Sequence, residues 1–131
     1  MKPRYRAWMK SLKWMCDVTN ISFDSKFVDI CQQGDTERYT EMSVEFDEIT
    51  LMQSTGLFDR NGKEIFEGDI LDYRGRKALV RWHGSYASFI YRFVDELQNR
   101  NTEWKPLYLA YMKCEIIGNI YENQELLEDK E

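Results

Sequence analysis

The chain has 131 residues, of which 43% are hydrophobic and 15% aromatic, and its formal net charge is −5 at pH 7. A chain of this length forms one domain, or a small barrel with an appended half. No apolar run approaches the roughly eighteen residues of a membrane span, and the basic start has no apolar stretch behind it to make a secretion signal. We therefore expect a cytoplasmic location and no membrane partner. The acidic balance also disfavours tight, non-specific binding to nucleic acid.

Residues that could carry catalysis or hold a metal are few. The cysteines, Cys16, Cys31 and Cys114, are odd in number and widely spaced, so reduced and mostly buried thiols are expected. His83 is the only histidine, and a single histidine after a strand tryptophan usually lies at the surface or has a structural role. The chain has no glycine-rich phosphate loop and no common hydrolase motif. The sequence therefore predicts no enzyme activity, no cofactor and no metal.

The first fifty residues alternate as strands do. Segments 4–10 and 13–18 each place every second residue on one side, which predicts a β-hairpin. A helix over 4–16 is the alternative, because methionine, lysine and leucine favour helices. Trp8 lies on the polar side of its strand, an unusual position for a large ring unless something covers it. Further short strands are predicted at 21–23, 26–31 and 44–47, and residues 1–50 form a hairpin region.

Charge is divided within this region. Residues 1–23 carry five basic side chains and one acidic one, whereas residues 24–50 carry two basic and eight acidic ones. The two segments are either complementary surfaces that meet within or between subunits, or solvated faces. Complementary surfaces favour a homo-oligomer joined through open strand edges. Its interface would include the aromatic side chains of Tyr5, Trp8 and Trp14.

Two turns are predicted within 51–71. At 59–62, asparagine and glycine tolerate positive φ, and an aspartate can accept a hydrogen bond from the backbone two residues on. At 67–69, the glycine allows a backbone geometry closed to other residues, and the aspartate can accept hydrogen bonds from nearby N–H groups. A calcium loop opened at Asp59 would need glycine and glutamate where Glu64 and Ile70 stand, so turn chemistry is the better interpretation. The residues expected to be structural are Gly56, Asp59, Asn61, Gly62, Gly68 and Asp69.

The second half is predicted to be mainly β as well. Strands are expected at 70–73, 77–82, 88–93 and 115–121, with a short helix or loop at 93–99 and a strand or one helical turn at 107–112. Asn123 is expected to cap a short C-terminal helix that runs through Glu128. The predicted fold is a small SH3-like barrel over about 51–122 with the N-terminal hairpin region packed on it. The second domain is then 51–131, unless the chain is one continuous domain.

A basic and aromatic group follows the second turn. Its members are Arg74, Arg76, Lys77 and Arg81, with Tyr73 and Trp82 beside them. Small barrels bind nucleic acids through strand faces of this composition. The alternative is a turn kept soluble by charge, with Trp82 in the core.

Four pieces of the chain resemble one family. TGLFDRNGKEIFEGDI at 55–70 resembles the signature TGL-x-D-x-NGKEI-[FY]-EGDI, and YRAW at 5–8, FDEITLMQ at 46–53 and EIIGNIYENQELL at 115–127 lie in the expected order. The resemblance is to the YopX-like proteins of bacteriophages and prophages. Gln124 stands where that family often has proline, and Ser54 where a larger residue is usual. The family has no known function, so the resemblance implies a fold and a phage origin but no activity. For a phage protein, the expected cytoplasmic location is the host cytoplasm.

Two functions from different classes are consistent with these observations. The first is a non-enzymatic accessory protein, a structural or interaction module that assembles with itself and with a host or phage protein. Aromatic content, charge segregation and the lack of catalytic groups support it. The second is a nucleic-acid-binding accessory protein that uses the basic and aromatic strand face.

Overall fold

Strands make up most of the regular structure. A computed structural model describes residues 4–99 and 103–128. The strands are β1 (Tyr5–Met9), β2 (Trp14–Ser22), β3 (Phe27–Gln32), β4 (Met42–Glu45), β5 (Ile49–Phe58), β6 (Glu64–Phe66), β7 (Asp69–Tyr73), β8 (Arg76–His83), β9 (Ser88–Phe93), β10 (Lys105–Pro106) and β11 (Cys114–Asn119). The helices of the described residues are short 3₁₀ turns at Phe46–Glu48, Gly84–Tyr86, Val94–Glu96, Leu107–Leu109, Tyr111–Lys113 and Gln124–Leu127. The prediction of a mainly β fold is confirmed, and the helix considered for 4–16 is wrong.

The chain divides into two compact units, Met1–Gln53 and Ser54–Glu131. In unit 1 the strands lie in the order β4-β3-β2-β1-β5, and every pair is antiparallel. β5 crosses the boundary: its first half pairs with β1, and its second half pairs with β6 in unit 2. β1 is therefore an inner strand with partners on both sides, and β4 is the edge of this sheet.

A three-residue connection bends the sheet of unit 1. β4 and β5 are at opposite sides of the five strands, which in a flat sheet would place them about 19 Å apart at roughly 4.8 Å per strand. Only the 3₁₀ turn Phe46–Glu48 joins them, and at about 2 Å of rise per residue it spans roughly 8 Å. The five strands must therefore curl until β4 approaches β5.

The core of unit 1 lies inside this curl. One face of the sheet supplies its buried cluster, which consists of Ala7, Met9, Cys16, Val28, Ile30, Val44 and Ile49. Alternation along β1 explains which of its residues join this cluster, since Ala7 and Met9 lie on the same face as Tyr5. A curled sheet can bury its concave face without a covering helix, which is how these side chains leave water.

Unit 2 is built on a second antiparallel sheet, in the order β10-β9-β8-β7-β11. Its buried cluster consists of Ile65, Leu71, Ala78, Val80, Tyr91, Phe93, Leu107, Ala110 and Cys114. β6 contributes Ile65, and the 3₁₀ turns after β10 contribute Leu107 and Ala110. These pieces cover the face that β7, β8 and β9 present.

Two details of the predicted fold are not confirmed. The described strands form no closed barrel, because β10 and β11 are separate edges of the second sheet. β10 has only two residues, and Pro106 has no N–H with which to continue pairing. The C-terminal helix is a four-residue 3₁₀ turn, Gln124–Leu127, and Asn123 does not cap it. The side-chain oxygen of Asn123 instead accepts a hydrogen bond from the backbone N–H of Asn119.

Gly68 connects two parts of unit 2 through its backbone. Its N–H donates to the carbonyl of Val80 at 2.9 Å, and its carbonyl accepts from the N–H of Ile120 at 3.0 Å. Its φ is +88°, a region that β-branched residues rarely adopt. Gly68 makes both hydrogen bonds in this conformation.

We expect Gly68→Val to lower the free energy of unfolding by about 1–3 kcal/mol, because valine at positive φ is strained. Gly84→Ala is the matched control, since a Cβ there meets no heavy atom within 4 Å and the φ is not positive. Urea unfolding followed by tryptophan fluorescence measures both variants. Equal stability of Gly68→Val and the natural protein would contradict the assigned backbone role.

Candidate functional site

The Asp59 side chain accepts three hydrogen bonds from backbone N–H groups. Its Oδ1 accepts from the backbone N–H groups of Asn61 and Lys63, both at 2.9 Å, and its Oδ2 accepts from Ile116 N–H at 2.9 Å. The N–H of Arg60 donates to the carbonyl of Cys114 at 2.9 Å. The turn is thus fastened along the outer edge of β11, and Asp59 faces the backbone rather than a ligand.

Hydrogen bonding determines the charge state of this buried carboxyl group. Burial alone would raise the pKa of Asp59, but the N–H donors of Ile116, Lys63 and Asn61 outweigh it, and the pKa lies below its usual value. Asp59 therefore remains ionised at neutral pH with its charge compensated by backbone donors.

The remaining structural positions also serve the backbone. Gly56, Gly62 and Gly68 all have positive φ. The buried Asp69 accepts a 2.8 Å hydrogen bond from Phe66 N–H, which closes the second turn. Asn61 reaches Glu115 with its side-chain amide at 3.2 Å. Within residues 4–99 and 103–128, no three acidic, cysteine or histidine side chains are grouped as metal ligands.

Strand alternation divides the basic group that the sequence predicts. β8 joins the core of unit 2 through Ala78 and Val80, so Arg76 is on the core-facing side of the strand. Lys77 and Arg81 are on the opposite side, because successive strand residues point to opposite faces. The basic residues therefore do not form one surface.

Arg76 is also compensated by acidic neighbours. Its Nη2 lies 2.7 Å from Asp95 Oδ1 and 2.9 Å from Glu96 Oε1, and its guanidinium carbon is 3.6 Å from the ring centre of Phe93. Hydrogen bonds to Asp95 and Glu96 raise the pKa of Arg76, and the bond from Arg76 lowers the pKa of Asp95. This arginine is therefore a poor candidate for binding phosphate.

The other basic residues differ in their surroundings. Lys77 donates through Nζ to the carbonyl of Glu128 at 3.0 Å. The Arg74 guanidinium lies 5.7 Å from the ring centre of Tyr73 in an exposed turn. Arg81 forms no ion pair with any residue that the structure describes. Arg74 is exposed and Arg81 is half-buried, and these two are therefore the candidates for contact with an anionic partner.

The proposed interface residues of the N-terminal strands are partly covered by their own chain. Trp14 packs against the core cluster of unit 1. Tyr5 and Trp8 are half-buried, and both lie in the inner strand β1. Because the backbone of β1 is paired on both sides, it offers no open edge to a second copy.

Sequence reasoning missed an exposed apolar surface at one end of unit 2. Trp82 is 45% exposed and packs on Phe89 with ring centres 4.9 Å apart, so its placement in the core is wrong. Leu109 and Met112 are each 70% exposed. We define the unit 2 apolar surface as Trp82, Tyr86, Tyr108, Leu109 and Met112, all of them exposed.

This surface has two parts, one at the β8–β9 connection and one in the 3₁₀ turns after β10. The pairing of the strands places both parts at the same end of β9. Trp82 is opposite Phe89, and Pro106 is opposite Ile90, the next residue of β9. The buried Leu107 that follows Pro106 belongs to the same cluster on which Phe89 packs. The uncharged run PLYLAYM at 106–112 was the available signal, but it does not reveal which residues face outward.

The three cysteines are free and buried, Cys16 in the core cluster of unit 1 and Cys114 in that of unit 2. Burial raises the pKa of Cys16 to about 11, with smaller contributions from Cys31 and Asp17. Burial likewise raises the pKa of Cys114 to about 11, with Asp72 adding to it. Both thiols are therefore protonated at neutral pH and poor nucleophiles.

These features define a small two-unit β protein whose signature residues hold turns and whose apolar surface is exposed. The chain belongs to the YopX family: the YopX protein family matches residues 4–128. This confirms the resemblance found in the sequence. Protein EF1440 from Enterococcus faecalis, known from a crystal structure, is 29% identical to it, with 98% of this chain and 99% of that chain covered and a TM-score of 0.57. No curated protein matches the chain, and no helix of the described residues is long and apolar enough to cross a membrane.

We expect Asp59→Asn to cost about 1–3 kcal/mol at pH 7, because the amide turns an N–H₂ toward one of the backbone donors. Since the folded-state pKa lies below that of the unfolded chain, the carboxylate stabilises the fold above about pH 4, and this contribution disappears as the pH falls. The variant should therefore lose less stability on acidification. Melting temperatures between pH 2 and pH 7 test this, with the exposed Glu37→Gln as control. A similar acid-induced loss in Asp59→Asn and the natural protein would refute the assignment.

Proposed function

We propose that this protein is a non-enzymatic phage or prophage accessory protein that acts as an interaction module in the host cytoplasm. The observation that carries the proposal is the unit 2 apolar surface. Side chains of this size rarely remain exposed together on a monomer without a binding role. Tyrosine, tryptophan and methionine are also enriched at protein interfaces.

The surface is held firmly while its side chains remain outside. Leu107 and Ala110 are buried in the unit 2 core, and they fix the two 3₁₀ turns that present Leu109 and Met112. Little ordering is then required when a partner binds, which lowers the entropic cost of association. Lys105 and Lys113 flank the segment, so the partner that fits is a protein with an apolar patch and an acidic rim.

Site-specific photocrosslinking in producing cells tests this proposal. A photoreactive phenylalanine at Tyr108 should give a discrete adduct with another protein, whereas the same residue at Phe58, also exposed but outside the surface, should not. Adding Leu109→Glu should weaken the adduct about tenfold, as expected for removing an interface anchor. Identical adducts from both positions would contradict the proposal.

Nucleic-acid binding is the second proposal, supported by the availability of Arg74 and Arg81. With so few basic contacts and an acidic chain, binding would be weak and strongly dependent on salt. A gel shift with mixed-sequence oligonucleotides at low salt should disappear in the Arg74→Ala, Arg81→Ala double variant. A shift that persists in that variant, or that is absent from the natural protein, rules out this surface as the binding site.

A further inference from the structure

Unit 1 carries an acidic and aromatic cleft that none of the residues described in the structure fills. The cleft has a volume of about 330 Å³ and is lined by Ser25, Lys26, Phe27, Glu45, Phe46 and Asp47. Phe23 extends its aromatic wall: its ring meets Phe46 edge to face, with centres 6.0 Å apart, and it is 64% exposed. Two phenylalanines at this cleft, Phe23 and Phe27, are thus largely open to water.

Negative charge surrounds these rings. Asp24, Glu45, Asp47 and Glu48 are all exposed. Glu48 accepts a 2.7 Å hydrogen bond from the Glu45 N–H as part of a capping box at the 3₁₀ turn, and neither carboxylate forms an ion pair with a residue that the structure describes. Asp24 and Asp47 form no side-chain ion pair with the described residues. Lys26 is the single basic residue that lines the cleft, so the site favours a partner that is both cationic and apolar.

The hairpin turn between β1 and β2 has the complementary composition. It consists of Lys10, Ser11, Leu12 and Lys13, all exposed, with Leu12 an apolar side chain between two lysines. Lys13 has no hydrogen bond or ion pair within the described residues. This basic tip is therefore available to another molecule.

Tip and cleft are neighbours in one chain. The N–H of Lys10 donates to Glu48 carbonyl at 3.1 Å, and Lys10 Nζ donates to Asp47 carbonyl at 3.1 Å. The N–H of Phe46 donates to Lys26 carbonyl at 3.0 Å, so the same 3₁₀ turn contacts both features. Two complementary patches side by side make a self-complementary surface. A two-fold axis between them brings the tip of each copy to the cleft of the other.

We propose that two copies of this protein associate through unit 1, with Leu12 and Lys13 of each entering the acidic and aromatic cleft of the other. The contact uses the turn of the β1–β2 hairpin and leaves the paired backbone of β1 undisturbed. It uses no residue of the unit 2 apolar surface. The contact is small and charged, so the association weakens as salt increases.

Sedimentation velocity over about 1–100 μM, a range suited to weak interfaces, tests the proposal on the full chain. The natural protein should shift toward twice the monomer mass as its concentration rises, and the shift should decrease with added salt. Leu12→Ser and Phe23→Ser, one at the tip and one in the cleft, should each keep the protein monomeric. Both positions are exposed, so either variant tests the contact if the other fails to fold.

Charge exchange gives the sharper test. Lys13→Glu and Asp47→Lys should each abolish the dimer, and the two together should restore it. Glu37→Lys, on another loop, is the matched control and should leave the dimer intact. A natural protein that stays monomeric, or a dimer unaffected by every unit 1 variant, would overturn the proposal. A dimer lost only in Leu109→Glu would assign self-association to unit 2 instead.

Discussion

A single buried carboxylate organises the edge of unit 2. Asp59 accepts hydrogen bonds from two N–H groups of its own turn and from Ile116 of β11. An uncovered β11 would present unpaired backbone groups to other chains, and the turn occupies that edge instead. The most recognisable stretch of the family signature thus maintains backbone structure. The candidates for a functional role are therefore the exposed side chains.

The exposed side chains of the two units differ in chemical character. Unit 2 presents uncharged aromatic and aliphatic groups, which suit a partner that buries them in a dry contact. Unit 1 combines aromatic rings with carboxylates, which suit a cationic and apolar insertion. A second copy at unit 1 and a different protein at unit 2 would therefore bind through different side chains.

Local chemistry in the sequence predicts the turns well, whereas it misses features that depend on distant pairing. The positive φ of Gly68 follows from what glycine alone tolerates. The curl of unit 1 does not, because it requires β1 to pair with β5 across some forty residues of sequence. The two-residue period of a strand could have predicted that Arg76 and Lys77 lie on opposite faces. It could not have predicted the exposure of Trp82, since alternation places this residue on the same side of β8 as the buried Ala78 and Val80.

The buried thiols allow the local unfolding of each unit to be measured by chemical labelling. Cys16 lies in the core of unit 1 and Cys114 in the core of unit 2. A thiol-specific reagent can reach each one only after the surrounding strands separate, so labelling rates measure the free energy of opening for that unit. Mass spectrometry of the two labelled peptides would separate the rates without any engineered probe. A ligand or partner that binds one unit would then be recognised by the thiol whose labelling it slows.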